Sequence, residues 1–164
     1  YTCVYTPLKT KTPISVFVGA IPGAIPFMLG WVAATDDFGI EPGTLFALQF
    51  FWQFPHFWAI AWKLNDDYLK AGFKMLPSLG GRDKKSAFQI MLYSGFLIPI
   101  TMLPWAINMS GILSMCFAIV ASLSMLTPAV KLFRTLEMKY AKQVMFLSFV
   151  YLPLVLFIYY LDKI

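Results

Sequence analysis

Charge is scarce in this sequence. Only 13% of its 164 residues are Asp, Glu, Lys or Arg, there is one histidine, and there are two cysteines. A soluble domain carries about 25% charged residues, so a water-facing surface of ordinary composition is excluded. Disorder is excluded as well, because 59% of the residues are hydrophobic, 18% are aromatic and the mean hydropathy is +0.70. Cys3 and Cys116 lie far apart with no metal-ligand spacing, which rules out a disulfide scaffold and leaves both as packing residues. The net charge of +5 is too diluted by apolar sequence to read as a nucleic-acid surface; it reads as the cationic side of a membrane protein.

What is present is a set of long gaps between charges. Residues 12–35, 42–62, 86–130 and 143–161 contain none. A bilayer core of about 30 Å needs about 20 apolar helical residues, so the third gap holds two crossings, divided by the polar turn Asn108-Met109-Ser110-Gly111. The expectation is an all-α, polytopic transmembrane helical bundle forming one domain over residues 1–164. Its five spans are placed near residues 13–34, 44–62, 86–107, 112–130 and 143–161, with a connection at 63–85. Pro13 suits a first helical turn. Pro22, Pro26, Pro55, Pro99, Pro104 and Pro153 fall inside spans, where neighbouring helices or water must satisfy the freed carbonyls. Gly19-Ala20 and Gly23-Ala24, four residues apart, invite close approach of another helix.

Twelve of the thirteen Lys and Arg residues fall before the first span or in the connections 63–85 and 131–142, against Lys163 alone on the other side. Translocation leaves Lys and Arg mostly on the cytoplasmic side, so residues 1–12, 63–85 and 131–142 are expected there. The expected location is a bacterial cytoplasmic membrane, ahead of a mitochondrial inner membrane. No cleavable signal is visible. A start at Tyr1 and an odd number of spans lead us to expect a piece of a larger membrane protein.

Ionisable groups in or beside a bilayer are costly and therefore informative. The single histidine, His56, lies in Phe51-Trp52-Gln53-Phe54-Pro55-His56-Phe57-Trp58, where Pro55 withdraws a backbone N–H close to Gln53 and His56. It reads either as a neutral imidazole hydrogen-bonded across a helix interface or as part of a site. If the helix runs on, His56, Lys63 and Asp67 share a face. Asp66-Asp67 at the membrane surface suits Mg²⁺, which takes one or two carboxylates and fills its shell with water and phosphate oxygens; a solvated acidic cap explains the pair equally. Tyr5, Lys9 and Lys11 can hold a diphosphate or simply anchor the first span.

The strings Trp52-Gln53-Phe54-Pro55-His56-Phe57-Trp58-Ala59-Ile60-Ala61 and Asp66-Asp67-Tyr68-x-x-Ala71-Gly72-x-x-Met75-Leu76-Pro77 resemble the signature of the protohaem IX farnesyltransferases, or haem O synthases. These form a branch of the UbiA-type intramembrane prenyltransferases. Tyr5-Thr6-x-x-Lys9, Gly19, Gly23-Ala24, Pro26 and Gly30-Trp31 fit the same pattern, and the resemblance runs from Tyr1 to the final span. It implies nine helices around a cavity, of which this chain supplies the last five, and farnesyl transfer from farnesyl diphosphate to a vinyl group of haem B with Mg²⁺ as cofactor. It also implies Asp66 and Asp67 as metal ligands and Tyr5 and Lys9 on the diphosphate. Phe51, Trp52, Phe57 and Trp58 would face the allylic cation, Gln53 and Tyr68 would join the substrate-binding set, and His56 would orient haem or serve as a base. The lipid bilayer, haem B, farnesyl diphosphate and haem A synthase are the implied partners.

The family's first aspartate-rich motif is missing, and with it half of the metal site, so the piece alone is expected to be inactive. Quinone-type relatives space their second pair of Asp residues four apart, whereas these are adjacent. A quinone or chlorophyll prenyltransferase, and a non-catalytic transporter or assembly subunit, are the competing readings. The first lacks the Pro55-His56-Phe57 string. The second leaves the acidic, basic and phenolic groups at one membrane level unexplained.

Overall fold

A computed structural model of the chain describes Thr12 and residues 14–164. The described residues form six helices: α1 (Ser15–Thr35), α2 (Ile40–Lys63), α3 (Asn65–Lys70), α4 (Lys84–Ala106), α5 (Ile112–Thr135) and α6 (Met138–Leu161). Over the described residues each of the five expected spans corresponds to one long helix, Pro13 lying outside them, and the fold is that of a helical, multi-pass membrane protein. Four of these helices, α1, α4, α5 and α6, are long and apolar enough to cross a bilayer. The fifth, α2, is as long as α5 or α6 but carries Gln49, Gln53 and His56 within it.

That difference has a packing cause. Helix α2 packs against α1, α4 and α6, while α4–α5 and α5–α6 complete a ring of four helices with α1 outside it. Thirteen of the 24 residues of α2 are buried, more than in any other helix, so it has less need of lipid-facing side chains. The outer helices show the reverse. Phe146, Phe149, Val150 and Phe157 of α6, and Leu113 and Val120 of α5, point outward and are apolar, as lipid contact requires. Cys116 points outward as well, which corrects its reading as a packing residue.

Hydrogen bonds join the helices where the core is polar. The Tyr159 hydroxyl of α6 donates to the Thr101 carbonyl of α4 at 2.7 Å, and Tyr151 of α6 pairs with Ser122 of α5 at 2.9 Å. Such bonds between membrane helices contribute about 0.6 kcal/mol each on average. Between α1 and α2 the contact is closer. The Gln53 amide nitrogen donates to the Ala20 carbonyl at 3.2 Å, and a Cβ on Gly23 would collide with the Gln53 amide. Gly23 is thus one of the small residues whose spacing predicted a close helix pair, and the space it leaves holds Gln53.

The two ends differ in charge. The connections 63–85 and 131–142 meet at one end, where Phe88 packs on Phe133 with Lys84 above the same ring. At the other end Asp162 receives the Ser114 N–H at 2.7 Å, and Lys163 lies over the Trp31 ring. The turn Asn108–Gly111 separates α4 from α5 as expected, with Asn108 at positive φ. Helices α5 and α6 run past the charge-free gaps to Thr135 and from Met138, so their cationic turns stay helical at the membrane surface.

Gly23→Ala in the whole protein is expected to cost about 1–2 kcal/mol by displacing the Gln53 hydrogen bond and leaving buried polar atoms unpaired. Thermal unfolding in detergent measures it. With Gln53→Ala already in place, the same change is expected to cost almost nothing, as the coupling of two touching residues requires.

Candidate active site

Gln49, Gln53 and His56 recur at i, i+4 and i+7 and so form one stripe along α2. The stripe meets helices on both flanks. Gln53 is held by α1, and His56 by α6 through a 2.8 Å contact between Nδ1 and the Ser148 hydroxyl. Helices α1 and α6 are not among the closely packed helix pairs, so each flank of the stripe is held by a different helix. The Gln49 side-chain oxygen is buried there with no hydrogen-bond partner among the described residues.

His56 is 6% exposed and sits in an aromatic collar. Trp52 stacks on it at 4.4 Å between centroids and 16° between planes, and Phe57 and Phe149 approach at 5.3 and 4.9 Å. Trp52 is itself fixed, its Nε1–H donating to the Ser148 carbonyl at 3.0 Å. The other aromatics expected at the site divide. Phe57 is 43% exposed, whereas Trp58 is fully buried on the opposite side of α2 against Phe17, Phe54 and Tyr93. Phe51 stacks on Tyr93 and meets Phe96 on that side too. A 710 Å³ cavity opens there between α1 and α4, lined by Phe17, Lys84, Lys85 and Tyr93 among others.

The acidic turn lies beyond a break. Helix α2 ends at Lys63, and Leu64 separates it from α3, so His56, Lys63 and Asp67 do not share one continuous helix. The break is held by a residue that the sequence reading counted only as a cation. The Arg82 guanidinium donates to the Trp62 and Lys63 carbonyls at 2.7 and 3.2 Å, closing the C-terminus of α2, and its Nη1 reaches both oxygens of Asp66 at 3.2 and 3.0 Å. Gly81 at positive φ turns the chain into that position. Asp83 then caps α4 by accepting the Ser86 N–H. Burial opposes ionisation of Asp83, but hydrogen bonds from Ser78 and Ser86 and the nearby Lys85 hold its carboxyl below the usual carboxylate range.

Asp66 and Asp67 therefore differ. Asp66 is taken by Arg82. Asp67 has, among the described residues, Lys70 at 4.0 Å, and the two aspartate side chains are 68% and 74% exposed. Tyr68, partly buried, packs on the core behind them. No three His, Cys, Asp or Glu residues converge among the described residues, so there is no complete protein cage for a metal. One free carboxylate with a second beside it does fit Mg²⁺, which completes its shell with water and phosphate oxygens. Tyr5 and Lys9, the residues expected on a diphosphate, lie outside the described residues. Arg82 and Ser148 were not singled out from the sequence. Gly80-Gly81 before Arg82 is a turn signal that could have pointed to it, whereas Ser148 is a hydroxyl in an apolar run with no local signal.

The model of the UbiA prenyltransferase family matches residues 1–151. The chain belongs to that family. It is 56% identical, over 99% of its length, to a protein of Flavobacterium psychrophilum named protoheme IX farnesyltransferase, and covers 55% of that relative. Proteins of the same name from Christiangramia forsetii and Cytophaga hutchinsonii are 53% and 50% identical over 99% and 100% of the chain, which covers 55% and 57% of them. The chain thus spans about half the length of the curated relatives it matches. No solved structure matches it.

Replacing Arg82 by Gln is expected to uncap α2 and release Asp66, raising hydrogen exchange at residues 62–70 with little change in α5 and α6. Arg82→Lys is expected to behave like Gln, because a point charge on a flexible stem cannot reproduce the fork across two carbonyls and a carboxylate.

Proposed function

We propose that the whole protein transfers a farnesyl group from farnesyl diphosphate to a vinyl group of haem B, giving haem O, and that this chain supplies the last five of its nine spans. The observation that carries the reading is the course of α2. One helix holds the aromatic-collared imidazole within the membrane and ends, at Arg82, on an exposed acidic turn at the cationic face. Family membership and the printed names of the relatives support the same reading.

The chemistry asks two things of such a site. Breaking the allylic C–O bond leaves charge on the diphosphate, which must be met where it develops. Asp66 and Asp67 are the residues that would hold Mg²⁺, which would supply that neutralisation. Asp67 would hold it together with Asp66, which in this structure is paired with Arg82. Tyr5 and Lys9 bind the diphosphate oxygens. The allylic carbon must then meet the vinyl group before water does, and aromatic faces such as Trp52 and Phe57 stabilise and shield it. The new carbon–carbon bond moves the positive charge onto the vinyl fragment. Water adds there, and its proton leaves to a base, completing the hydroxyethylfarnesyl group. His56 is that base, or holds haem in register for the transfer. Gln53 and Tyr68 shape the site from α2 and α3.

The distribution of the twelve cations supports a cytoplasmic side for residues 1–12, 63–85 and 131–142, and the membrane in this reading is a bacterial cytoplasmic one. Haem O leaves within the bilayer, where a haem A synthase is the natural recipient. The 164-residue piece alone is expected to have no transferase activity.

Mass spectrometry of haems extracted from cells expressing the complete reading frame tests this. Haem bearing a hydroxyethylfarnesyl group is expected in the wild type and its loss in Asp66→Asn/Asp67→Asn. Unmodified haem B from both, with protein in the membrane and farnesyl diphosphate present, would overturn the assignment and point to another acceptor or a non-catalytic role.

A further inference from the structure

The Ser148 hydroxyl has one proton and two neighbours. It lies 2.6 Å from the Met145 carbonyl oxygen and 2.8 Å from His56 Nδ1. Two oxygens at 2.6 Å need a hydrogen between them, and the carbonyl has none to give, so the serine proton goes to Met145. The hydroxyl can then only accept from the imidazole. That places the proton of a neutral His56 on Nδ1 and the lone pair on Nε2. The acceptor oxygen is fully buried, and its backbone is pinned by Trp52 Nε1–H on the same serine's carbonyl. Trp52 also stacks flat on the imidazole, so one residue of α6 and one of α2 fix both the tautomer and the plane of the ring. Nε2 makes no hydrogen bond to any described residue, and the two rings that edge the imidazole, Phe57 and Phe149, are 43% and 52% exposed.

We propose that Ser148 is a positioning residue for the transferase reaction. It holds His56 as the Nδ1–H tautomer, so that an unprotonated Nε2 is presented between Phe57 and Phe149. A ring held this way can take a proton from water or ligate iron, and it cannot donate a hydrogen bond from Nε2. As a base, or as a ligand that holds haem in register through its iron, Nε2 would act through its lone pair. The inference rests on that placement of His56 in the site and extends it to a residue of another helix. The effect is that of an outer partner on a ligand or base, where loss of the orienting hydrogen bond typically costs about 10- to 100-fold.

Solid-state NMR of the complete protein in proteoliposomes, labelled with ¹⁵N,¹³C-histidine and with the His56 signals assigned by their loss in His56→Gln, reads the tautomer directly. The expected result is a protonated Nδ1 and an unprotonated Nε2 in the wild type, and a reversed or mixed pattern in Ser148→Ala. Turnover in Ser148→Ala is expected to fall about 10- to 100-fold with the KM for farnesyl diphosphate unchanged, and Ser148→Thr, which keeps the hydroxyl, is expected to restore the wild-type tautomer and most of the turnover. A wild-type His56 protonated on Nε2 would overturn the proposal even if Ser148→Ala failed to accumulate. So would a Ser148→Ala protein with unchanged tautomer and turnover. Full turnover in His56→Gln would instead remove His56 from the mechanism, whatever its tautomer.

Discussion

A polar side chain carried into a bilayer has to find its hydrogen bond within the protein, and one too long to reach its own backbone finds it on a neighbouring helix, because lipid offers none. In this protein that requirement falls mainly on α2. Gln53 is satisfied by a carbonyl of α1, and Trp52 and His56 by one serine of α6. Much of the rest of the arrangement answers to these contacts. Gly23 is small because the Gln53 amide occupies the space beside it. The helix with the most buried residues is also the one whose interior is least like a lipid-facing span. The outer helices bury a polar seam of Thr101, Ser122 and Tyr151 and turn many aliphatic and aromatic residues outward.

A second constraint acts where α2 leaves the membrane. Its last carbonyls have no partners within the helix, and Arg82 supplies them from nineteen and twenty residues further along the chain. The same guanidinium holds Asp66, so the closure of the helix and the pose of the acidic turn are one structural unit. Asp67, beside it, is outside that unit. The two adjacent aspartates are both exposed and differ in their partners: Asp66 is held by Arg82, and Asp67 has Lys70 at the limit of ion-pair distance.

Much of this was legible in the sequence because a bilayer imposes a length on every uncharged run. The gaps between charges located all five long helices, and Asn108–Gly111 marked the turn between two of them. The ends were less legible. Lysines and arginines at the interface remain helical while reaching into water, so α5 and α6 outrun the apolar segments that announced them. The aromatic string of α2 pointed to the correct neighbourhood but did not separate its two sides, with Trp52 and Phe57 around His56 and Trp58 turned to Tyr93. The break at Leu64, the Arg82 contacts with Asp66 and the Ser148 contact with His56 were not legible. Each joins residues distant in the chain, and the last spans 92 positions. No local pattern encodes such a meeting.

The account makes the acidic turn a metal and diphosphate site held in place by the end of α2. Binding of Mn²⁺, a paramagnetic stand-in for Mg²⁺, to the complete protein measures this most directly when followed by electron paramagnetic resonance with and without farnesyl diphosphate. The account predicts tight binding that requires the diphosphate and disappears in Asp66→Asn/Asp67→Asn. Equal Mn²⁺ binding by the wild type and the double variant in the presence of farnesyl diphosphate would contradict it.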